Sequence, residues 1–416
     1  MSSRDDAAAR LQRAVTSPLW LLGWIGAGLA IRVALVLHGR GTFTFADEYD
    51  YDSLATALLG GHGFSLRGSP SAFRPPGQVV FLAAIYALAG HRPLVAELAQ
   101  AAMLAPVPWA VLAIGRRTTS RPFVPEVAAA LAAMHPGLAY ASASLYPASL
   151  TAAALALGVW LAVEVAWRGG IVRAAAAGLA LGVAGAATPY FAPLPVLTGL
   201  AVHRRAGARA AVALVVVGLL PAAAWTTRNA LVLGAPTLGT NGGVNLALGA
   251  NDRATFRSGN WIDPDPIDES AARTELARDA AWARAGRQWI IEHPVRWAEL
   301  AVGRAVAVLD SVGKPRTRGL HDRPWATLSA WAMFPWIVFG VAGLWVGRHA
   351  PEARIVALAF LLVLLSSAAT IVKPRFRFPV DPLLAIFAVD FVSRAHAALR
   401  ERWRSGPGRA RPDVIA

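Results

Sequence analysis

The chain has 416 residues, of which 56% are hydrophobic and 16% are charged, and its mean hydropathy is +0.45. This composition excludes an ordinary soluble two-domain enzyme and predicts an all-α, polytopic membrane protein. The formal net charge of +15 would indicate nucleic-acid binding in a soluble chain. In a membrane protein, arginines on the cytoplasmic side explain such a charge, so we predict no nucleic-acid partner.

The absence of cysteine excludes disulfides, thiolate metal sites and a cysteine nucleophile. Neither of the two lysines, Lys314 and Lys373, lies in a phosphate-loop motif, and no HExxH or GxSxG motif occurs. The sequence therefore gives no basis for a P-loop NTPase, a zinc metalloprotease or a nucleophile-elbow hydrolase.

A polar segment, 1–16, precedes an apolar run from Pro18 to Leu37 that is too long for the core of a signal peptide. We interpret this run as a retained first transmembrane helix whose N-terminus is cytoplasmic. Nine further runs each predict a crossing, which gives ten spans. These runs are 94–114, 123–142, 145–167, 171–188, 190–202, 209–227, 325–347, 353–372 and 380–397.

Arginine-rich connections alternate with less basic ones, and the positive-inside rule assigns the arginine-rich face to the cytoplasm. The outer face then carries two long loops, 39–93 and 228–324. Of two shorter apolar stretches, 77–90 is predicted not to cross the membrane fully, and 295–312 is predicted to lie along the outer interface. If both crossed instead, the chain would have twelve spans.

The predicted organisation has three parts. We expect a cytoplasmic tail over 1–16, a transmembrane domain over 17–397 and a basic cytoplasmic tail over 398–416. An even number of spans places both termini in the cytoplasm, and we expect the plasma (inner) membrane as the location.

Four carboxylates lie within six residues of one another just after the first helix: Asp47, Glu48, Asp50 and Asp52. They fit a solvated acidic turn capped by Asp47, and they also fit a general base that deprotonates an acceptor hydroxyl or amine. Asp47 and Glu48 are the catalytic candidates. Asp50 and Asp52 lie among tyrosines and are interpreted as capping or pairing residues.

Arg74 precedes a double proline, Pro75-Pro76, which restricts the backbone to an extended form just before an apolar segment. The arginine is therefore held near the membrane surface. It fits either a side chain that snorkels to lipid headgroups or one that grips a phosphate through two hydrogen bonds.

A glycine- and asparagine-rich run follows Arg228, which ends a predicted helix. Four glycines and three asparagines within 13 residues exceed what a surface turn needs, so we predict an irregular loop whose free backbone NH groups bind an anion or sugar hydroxyls. The candidate residues of this acceptor or sugar loop are Asn241, Gly242, Gly243 and Asn245.

Lys373, Arg375 and Arg377 alternate with proline and phenylalanine in the short segment 373–379, between two apolar runs on the predicted outer face. Three cations there oppose the positive-inside rule, which indicates an anionic ligand. The histidines show no spacing with carboxylates that predicts a metal site.

These motifs, taken in order, resemble the GT-C superfamily of membrane glycosyltransferases, and within it family 39 and its relatives, the protein O-mannosyltransferases and the aminoarabinose transferases. The matching segments are FADEYDYDSLATALL, AFRPPGQVVFLAAIYALAG, WTTRN with NGGVNLALGAN, and KPRFRFPVDPLL. The resemblance implies a GT-C-like fold that transfers a sugar from a polyprenyl-phosphate carrier to a protein, lipid or glycan acceptor on the outer face. Such a protein has as partners the lipid-linked donor, the acceptor and the bilayer.

Carried over by position, Asp47 matches the catalytic base of the superfamily, with Glu48 as its neighbour. Arg74 matches the arginine before the double proline. Arg228 and Arg375 or Arg377 match basic positions that hold the lipid phosphate, and our hypothesis adds Lys373 to this set.

One position departs from the superfamily pattern. Many relatives have a second acidic residue in the outer turn where this chain has Ala148 and Ser149, which bears on metal assistance and acceptor positioning. No cofactor is firmly implied, and a divalent metal stays open. The alternatives to an enzyme are a flippase or transporter of a lipid-linked sugar, using the same arginines, and a membrane scaffold of the cell envelope.

Overall fold

A computed structural model describes residues 12–43, 45–256, 272–309 and 324–404. Parts of both predicted tails and of the predicted outer loop 228–324 lie outside the described residues. The last helix continues to Arg404, so the predicted tail from residue 398 begins as helix.

Helices make up nearly all the regular structure of the described residues. In chain order they are α1 (Pro18–Gly39), α2 (Ala46–Leu59), α3 (Pro76–Ala89), α4 (Pro93–Met103), α5 (Val107–Thr118), α6 (Val124–Ala133), α7 (Pro136–Ser142), α8 (Ala148–Arg168), α9 (Ile171–Ala187), α10 (Leu194–Ala206), α11 (Ala208–Leu233), α12 (Gly242–Gly249), α13 (Glu275–Glu292), α14 (Pro294–Ala307), α15 (Pro324–Val346), α16 (Pro351–Ala369) and α17 (Asp381–Arg404). A short antiparallel hairpin of β1 (Ser65–Leu66) and β2 (Ser69–Pro70) lies between α2 and α3. Two 3-10 turns, Pro189–Phe191 and Pro374–Phe376, lie before α10 and α17.

Several helical segments are long and apolar enough to cross a bilayer. Six such segments are present in the described residues: Pro18–Gly39, Pro93–Thr118, Ala148–Arg168, Ala208–Leu233, Pro351–Ala369 and Asp381–Trp403. Three shorter apolar helices accompany them: Pro76–Ala89, Ile171–Ala187 and Trp331–Val346. The prediction of an all-α, polytopic membrane protein is confirmed.

Prolines divide three of the predicted runs into shorter helices. The run 94–114 is interrupted between α4 and α5, over 104–106, and the run 123–142 breaks before Pro136. The run 190–202 is a 3-10 turn followed by α10. Proline lacks the NH that continues a helix, so it begins a new helix more readily than it extends one.

Helix α3 lies against α2, and contacts at both ends of α3 reach α2. Arg74, just before α3, donates to Asp50 of α2 at 2.7 Å. Near the other end of α3, the Tyr86 hydroxyl donates to Asp52 of α2 at 2.7 Å. A helix of 14 residues extends about 21 Å, which is less than the roughly 30 Å of hydrocarbon in a bilayer. Helix α3 is therefore shorter than a full crossing, and both of its ends are tied to α2.

Small side chains form much of the interface between the central helices. Ala152 and Leu155 of α8 and Ala177 and Leu181 of α9 are fully buried in the largest apolar cluster, and α9 packs against both α8 and α11. Without a hydrophobic drive between helices in lipid, close backbone approach provides the packing energy. The alanine-rich composition of the chain therefore serves helix packing.

Polar contacts gather at the two ends of this helical bundle. At one end meet the start of α2, the segment before α3, the turn before α8 and the 3-10 turn before α17. At the other end, Arg117 of α5 pairs with Glu164 of α8 at 3.0 Å, and Trp167 of α8 donates to Glu352 of α16 at 2.5 Å. The segments predicted to share the outer face thus lie together.

Candidate active site

Glu48 anchors the helix that carries the candidate base. Its Oε1 accepts from the backbone NH of Phe45, the N-cap of α2, at 2.9 Å, which is one half of a capping box. Its Oε2 accepts from the backbone NH of Leu145, in the turn before α8, at 2.9 Å. The residue is 1% exposed. The structure therefore places Glu48 in the interior, where its carboxylate ties α2 to a segment almost 100 residues away.

Asp47 faces the opposite way and is the centre of an ionic cluster. Its Oδ1 accepts from Arg74 Nη2 at 2.7 Å. Its Oδ2 accepts from the Tyr146 hydroxyl at 2.7 Å and from Arg375 Nη2 at 3.2 Å. The Asp47 side chain keeps 29% of its surface exposed, so the carboxylate is held from three sides and still reachable.

Arg74 links two carboxylates of α2. Besides its bond to Asp47, it donates to Asp50 Oδ2 from Nε at 3.1 Å and from Nη2 at 2.7 Å. The guanidinium also lies 4.8 Å from the centre of the Phe73 ring and 5.6 Å from that of Tyr51. The proline at the start of α3 fixes the backbone that presents this arginine.

Arg375 reaches Asp47 from the far end of the chain. Its guanidinium lies 4.0 Å from the centre of the Tyr146 ring, an attractive cation–π geometry. The 3-10 turn that carries it is anchored by Tyr190, whose hydroxyl donates to the carbonyl of Phe376 at 2.7 Å. Arg375 keeps 27% of its side chain exposed, so it can contact a ligand while it remains paired with Asp47.

The cluster carries one net positive charge: Arg74, Arg375 and Lys373 against Asp47 and Asp50. Burial by itself would raise the pKa of the Asp47 carboxyl, but Arg74, Arg375 and the Tyr146 hydroxyl hold that pKa below its usual value. Burial, and then the nearby Arg375 guanidinium, lower the pKa of Lys373 to about 8. The site is therefore ready to accept an anion, which would relieve the repulsion among its cations.

Arg228 stands apart from this cluster. Its Nη1 donates to the carbonyl of Ser71 at 2.8 Å and its Nη2 to the carbonyl of Phe64 at 2.9 Å. The guanidinium lies 5.1 Å from the centre of the Trp225 ring. In this structure Arg228 holds the loop between α2 and α3 in place.

Arg377 is buried, with only 1% of its side chain exposed, and its Nε donates to Asp381 Oδ1 at 2.7 Å. Its Nη1 donates to the carbonyl of Val308. The imidazole of His135 lies 3.4 Å from the other carboxylate oxygen of Asp381. The structure therefore separates the two arginines of segment 373–379: Arg375 faces Asp47, and Arg377 faces the interior.

The predicted irregular loop is a helix, which corrects the expectation drawn from its composition. Helix α12 begins at Gly242, with Asn241 at its N-cap, and it includes Asn245. At Gly243 an added Cβ would overlap the carbonyl oxygen of Asp279, and the NH of Gly243 donates to the Asp279 carboxylate at 2.6 Å. Glycine thus serves close packing of α12 on α13, and the NH of Gly243 already has an acceptor.

Sequence reasoning missed two residues of the cluster. Tyr146 lies in the turn where an acidic residue was expected, and it donates to Asp47. Asp50 was interpreted as a pairing residue, and its pairing with Arg74 makes it part of the site. The sequence signal for Tyr146 was an aromatic residue directly before Pro147. The neighbouring residues do not show that its partner is Asp47. Among the described residues, no group of three or more histidine and acidic side chains gathers as a metal site.

No protein-family model matches the chain, and no curated protein matches it. Solved structures do. One is the oligosaccharyltransferase AglB of Archaeoglobus fulgidus in complex with an inhibitory peptide and a dolichol-phosphate, with 13% identity, a TM-score of 0.47 and coverage of 95% of this chain and 53% of that one. Another is the apo form of the Archaeoglobus fulgidus oligosaccharyltransferase, with 13% identity, a TM-score of 0.49 and coverage of 96% and 54%.

A third is ArnT from Cupriavidus metallidurans bound to undecaprenyl phosphate, with 14% identity, a TM-score of 0.44 and coverage of 94% of this chain and 82% of that one. The chain spans about half the length of the oligosaccharyltransferases. Identities and TM-scores this low transfer no substrate and no residue role. The oligosaccharyltransferase and ArnT are both membrane glycosyltransferases of the GT-C superfamily, the superfamily that the four sequence motifs resemble.

Proposed function

We propose that the chain is a glycosyltransferase that moves a sugar from a polyprenyl-phosphate carrier to an acceptor on the outer face of the membrane. The observation that carries this proposal is the contact of Asp47 with Arg74, Tyr146 and Arg375 at one end of a membrane-helix bundle. A carboxylate beside an excess of cations provides both a base and an anion site. A lipid-linked phosphate is the anion that suits this place, because its tail requires a neighbouring bilayer.

The phosphate is assigned to Arg375, Lys373 and Arg74. As the bond between the anomeric carbon and the phosphate oxygen breaks, its electron pair stays on that oxygen, and negative charge grows on the leaving group. Fixed cations stabilise this charge more in the transition state than in the ground state. Arg228 and Arg377 act in our proposal as supports of the neighbouring segments, because their guanidinium groups donate to protein carbonyls and to Asp381.

Asp47 is the proposed base. It takes the proton of the acceptor hydroxyl or amine while the acceptor oxygen or nitrogen forms its bond to the anomeric carbon. In the described structure Arg375 still contacts Asp47, which keeps the carboxylate weakly basic. A phosphate that draws Arg375 away would raise the pKa of Asp47, so donor binding itself would prepare the base.

The orientation and the boundaries belong to the same proposal. We infer that the arginine-rich end of the bundle, where Arg117 pairs with Glu164, faces the cytoplasm of a plasma-membrane protein with two cytoplasmic tails, 1–16 and 398–416. We propose that the segment Asn241–Asn245 contacts the donor sugar, because the adjoining Thr240 donates its NH to the carbonyl of Ala72, in the loop that carries Arg74, at 3.1 Å.

Transfer in membranes tests this function. A panel of radiolabelled polyprenyl-phosphate sugars is incubated with membranes that contain the chain, with and without a chelator. We expect label to leave the carrier and to appear on an acceptor. Label that stays on the carrier but reaches the opposite leaflet would identify a flippase and overturn the enzyme proposal. The chelator arm decides whether a divalent metal takes part.

Tyr146→Phe tests the electrostatics of the base. The phenylalanine ring retains the face under Arg375, while the hydrogen bond to Asp47 is lost. Because that bond stabilises the ionised carboxylate, its loss raises the pKa of Asp47. A hydrogen bond to a charged group contributes about 1.5–3 kcal/mol, so the acid limb of the pH–activity profile should move up by about one to two pH units. An unmoved acid limb would argue against Asp47 as the titrating group.

The loss of the Lys373 charge at alkaline pH should weaken binding of the lipid carrier. Its pKa is lowered to about 8, so its charge is present at pH 7 and lost as the pH rises through 8. A bound phosphate favours the charged form, which places the midpoint in the complex at or above that value. Affinity for undecaprenyl phosphate should fall about tenfold between pH 7 and pH 10. Lys373→Arg should remain nearly flat over that range, and a wild-type profile equally flat would exclude Lys373 from the phosphate site.

A further inference from the structure

A cleft of about 640 Å³ opens beside α2. One wall is formed by Tyr49, Asp50 and Ser53 of α2, and the other by His62 and Arg67 of the loop and hairpin that follow. A cleft of this volume accommodates a ligand of one to three sugar rings' size.

Asp50 joins the cleft to the candidate active site. Its Oδ2 accepts from Arg74, which also binds Asp47. Its Oδ1 accepts no hydrogen bond from the described residues. One oxygen is thus fixed by the site, and the other is available to a hydroxyl of a ligand in the cleft. A ligand bound to Asp50 would therefore lie close to the proposed base, because Arg74 bonds both Asp50 and Asp47.

Arg67 occupies an unusual position at the rim. It and Gly68 form the two-residue connection of the hairpin, with φ angles of +55° and +79°. Such a turn favours asparagine or glycine, because a side chain in the left-handed region costs about 1 kcal/mol. The chain has arginine here, and Arg67 lines the cleft. Backbone strain of this kind points to a use for the side chain.

The chemistry of the lining selects a neutral polyhydroxylated ligand. The lining has one carboxylate, Asp50, which already pairs with Arg74, and one guanidinium, Arg67. It therefore has neither the several carboxylates that would hold a cation nor the several cations that would hold an anion. Ser53 and His62 add groups that both donate and accept. Tyr49 is 59% exposed and is held edge-to-face by Phe43, with ring centres 4.8 Å apart. A fixed aromatic ring among hydroxyl-binding groups suits the apolar face of a sugar ring.

We propose that this cleft, lined by Tyr49, Asp50, Ser53, His62 and Arg67, binds the acceptor, and that the acceptor is a neutral carbohydrate. The proposal rests on the glycosyltransferase function, since it names the acceptor class of that reaction. A carbohydrate end held at Asp50 can present a hydroxyl to Asp47. Lys373 and Arg375 are not among the residues that line the cleft, so the donor phosphate can bind these two cations beside Asp47 without entering it.

Arg67→Gly is the decisive variant, because glycine removes the guanidinium and relieves the left-handed strain. The full chain in nanodiscs is tested against an array of neutral and acidic oligosaccharides, and Kd is then measured in solution for the tightest neutral one. We expect the Kd to rise at least tenfold in Arg67→Gly, with an unchanged or higher melting temperature. Arg40→Gly is the matched control: Arg40 also has a left-handed φ, +54°, but lies outside the cleft, so binding should stay as in the wild type.

Ser53→Trp provides a second test by filling the cleft from α2. It should abolish binding of the same oligosaccharide and leave binding of undecaprenyl phosphate unchanged. Arg375→Ala should do the reverse. Failure of every neutral oligosaccharide to bind, selective binding of acidic ones, or binding that survives both Ser53→Trp and Arg67→Gly would overturn the carbohydrate site. Phosphate binding that survives Arg375→Ala would instead count against the proposed function, so the two failures are distinguishable.

Discussion

Asp47→Asn should abolish sugar transfer, with a loss of about 10²- to 10⁴-fold, the range that removal of a general base usually produces. The amide has almost the same size as the carboxylate and can still accept from Arg74, so the fold should be retained. It has no affinity for the acceptor proton at neutral pH. The rate is measured as transfer of label from a polyprenyl-phosphate sugar.

Carrier binding makes this prediction specific. Removal of the Asp47 charge leaves three cations against Asp50 alone, so the net charge of the cluster rises from one to two. Undecaprenyl phosphate should bind the variant at least as tightly as it binds the wild type. An enzyme that binds its donor and fails to transfer is the result expected if Asp47 acts in the chemical step.

Asp52→Asn is the matched control for Asp47→Asn. Asp52 lies on the same helix and accepts from Tyr86 at 2.7 Å and from His91 at 2.8 Å, outside the cationic cluster. The activity of this variant should stay within about twofold of the wild type, because the asparagine amide oxygen can still accept from Tyr86 and His91. Full transfer activity in Asp47→Asn would remove Asp47 from the mechanism.

The second large effect concerns stability. Arg377→Met should cost about 3–5 kcal/mol, because it removes the cation that is paired with the buried Asp381 carboxylate and leaves only the His135 imidazole beside it. The two side chains are 1% and 0% exposed, and their Nε to Oδ1 distance is 2.7 Å. Methionine fills a similar volume, so the loss of stability reports the removed charge more than a change in packing. The measurement is the unfolding temperature in detergent, followed by tryptophan fluorescence.

The double variant Arg377→Met/Asp381→Leu separates electrostatics from packing. Removal of both charges abolishes the uncompensated carboxylate, so stability should recover most of what the single variant lost. If the double variant is as unstable as Arg377→Met, the pair acts through shape and the buried-charge argument is wrong. Recovery of stability without recovery of transfer would indicate that Arg377 also positions Arg375, two residues away in the same segment.

Much of the candidate site could be named from sequence. Asp47, Arg74, Lys373 and Arg375 each stood out because charge beside an apolar run needs a reason, and the structure brings them together. The prediction of an irregular loop at Asn241–Asn245 was wrong, because the number of glycines shows only that the backbone is free to adopt many conformations. It does not show which conformation the fold requires. In α12 the glycine is needed for close packing against α13, which no local pattern distinguishes from an open loop.

Arginines show the same limit of sequence reasoning. Arg375 and Arg377 are two residues apart, and their residue types and neighbours give no reason to assign them different environments. In the 3-10 turn and the start of α17, one side chain reaches Asp47 and the other reaches Asp381. Which way each points depends on the packing of α17 against the helices before it. Arg228 likewise found carbonyl acceptors on a loop more than 150 residues away.

The sequence by itself determined that this is a helical membrane protein and on which segments its charged residues lie, because both follow from local hydropathy and charge. Only the tertiary structure decided which charges meet. Asp47 lies 27 residues from Arg74, 99 from Tyr146 and 328 from Arg375. Contacts over such separations are set by how many helices pack side by side, and at what positions. That packing depends on the shapes of many buried alanines and glycines at once, which no single motif records.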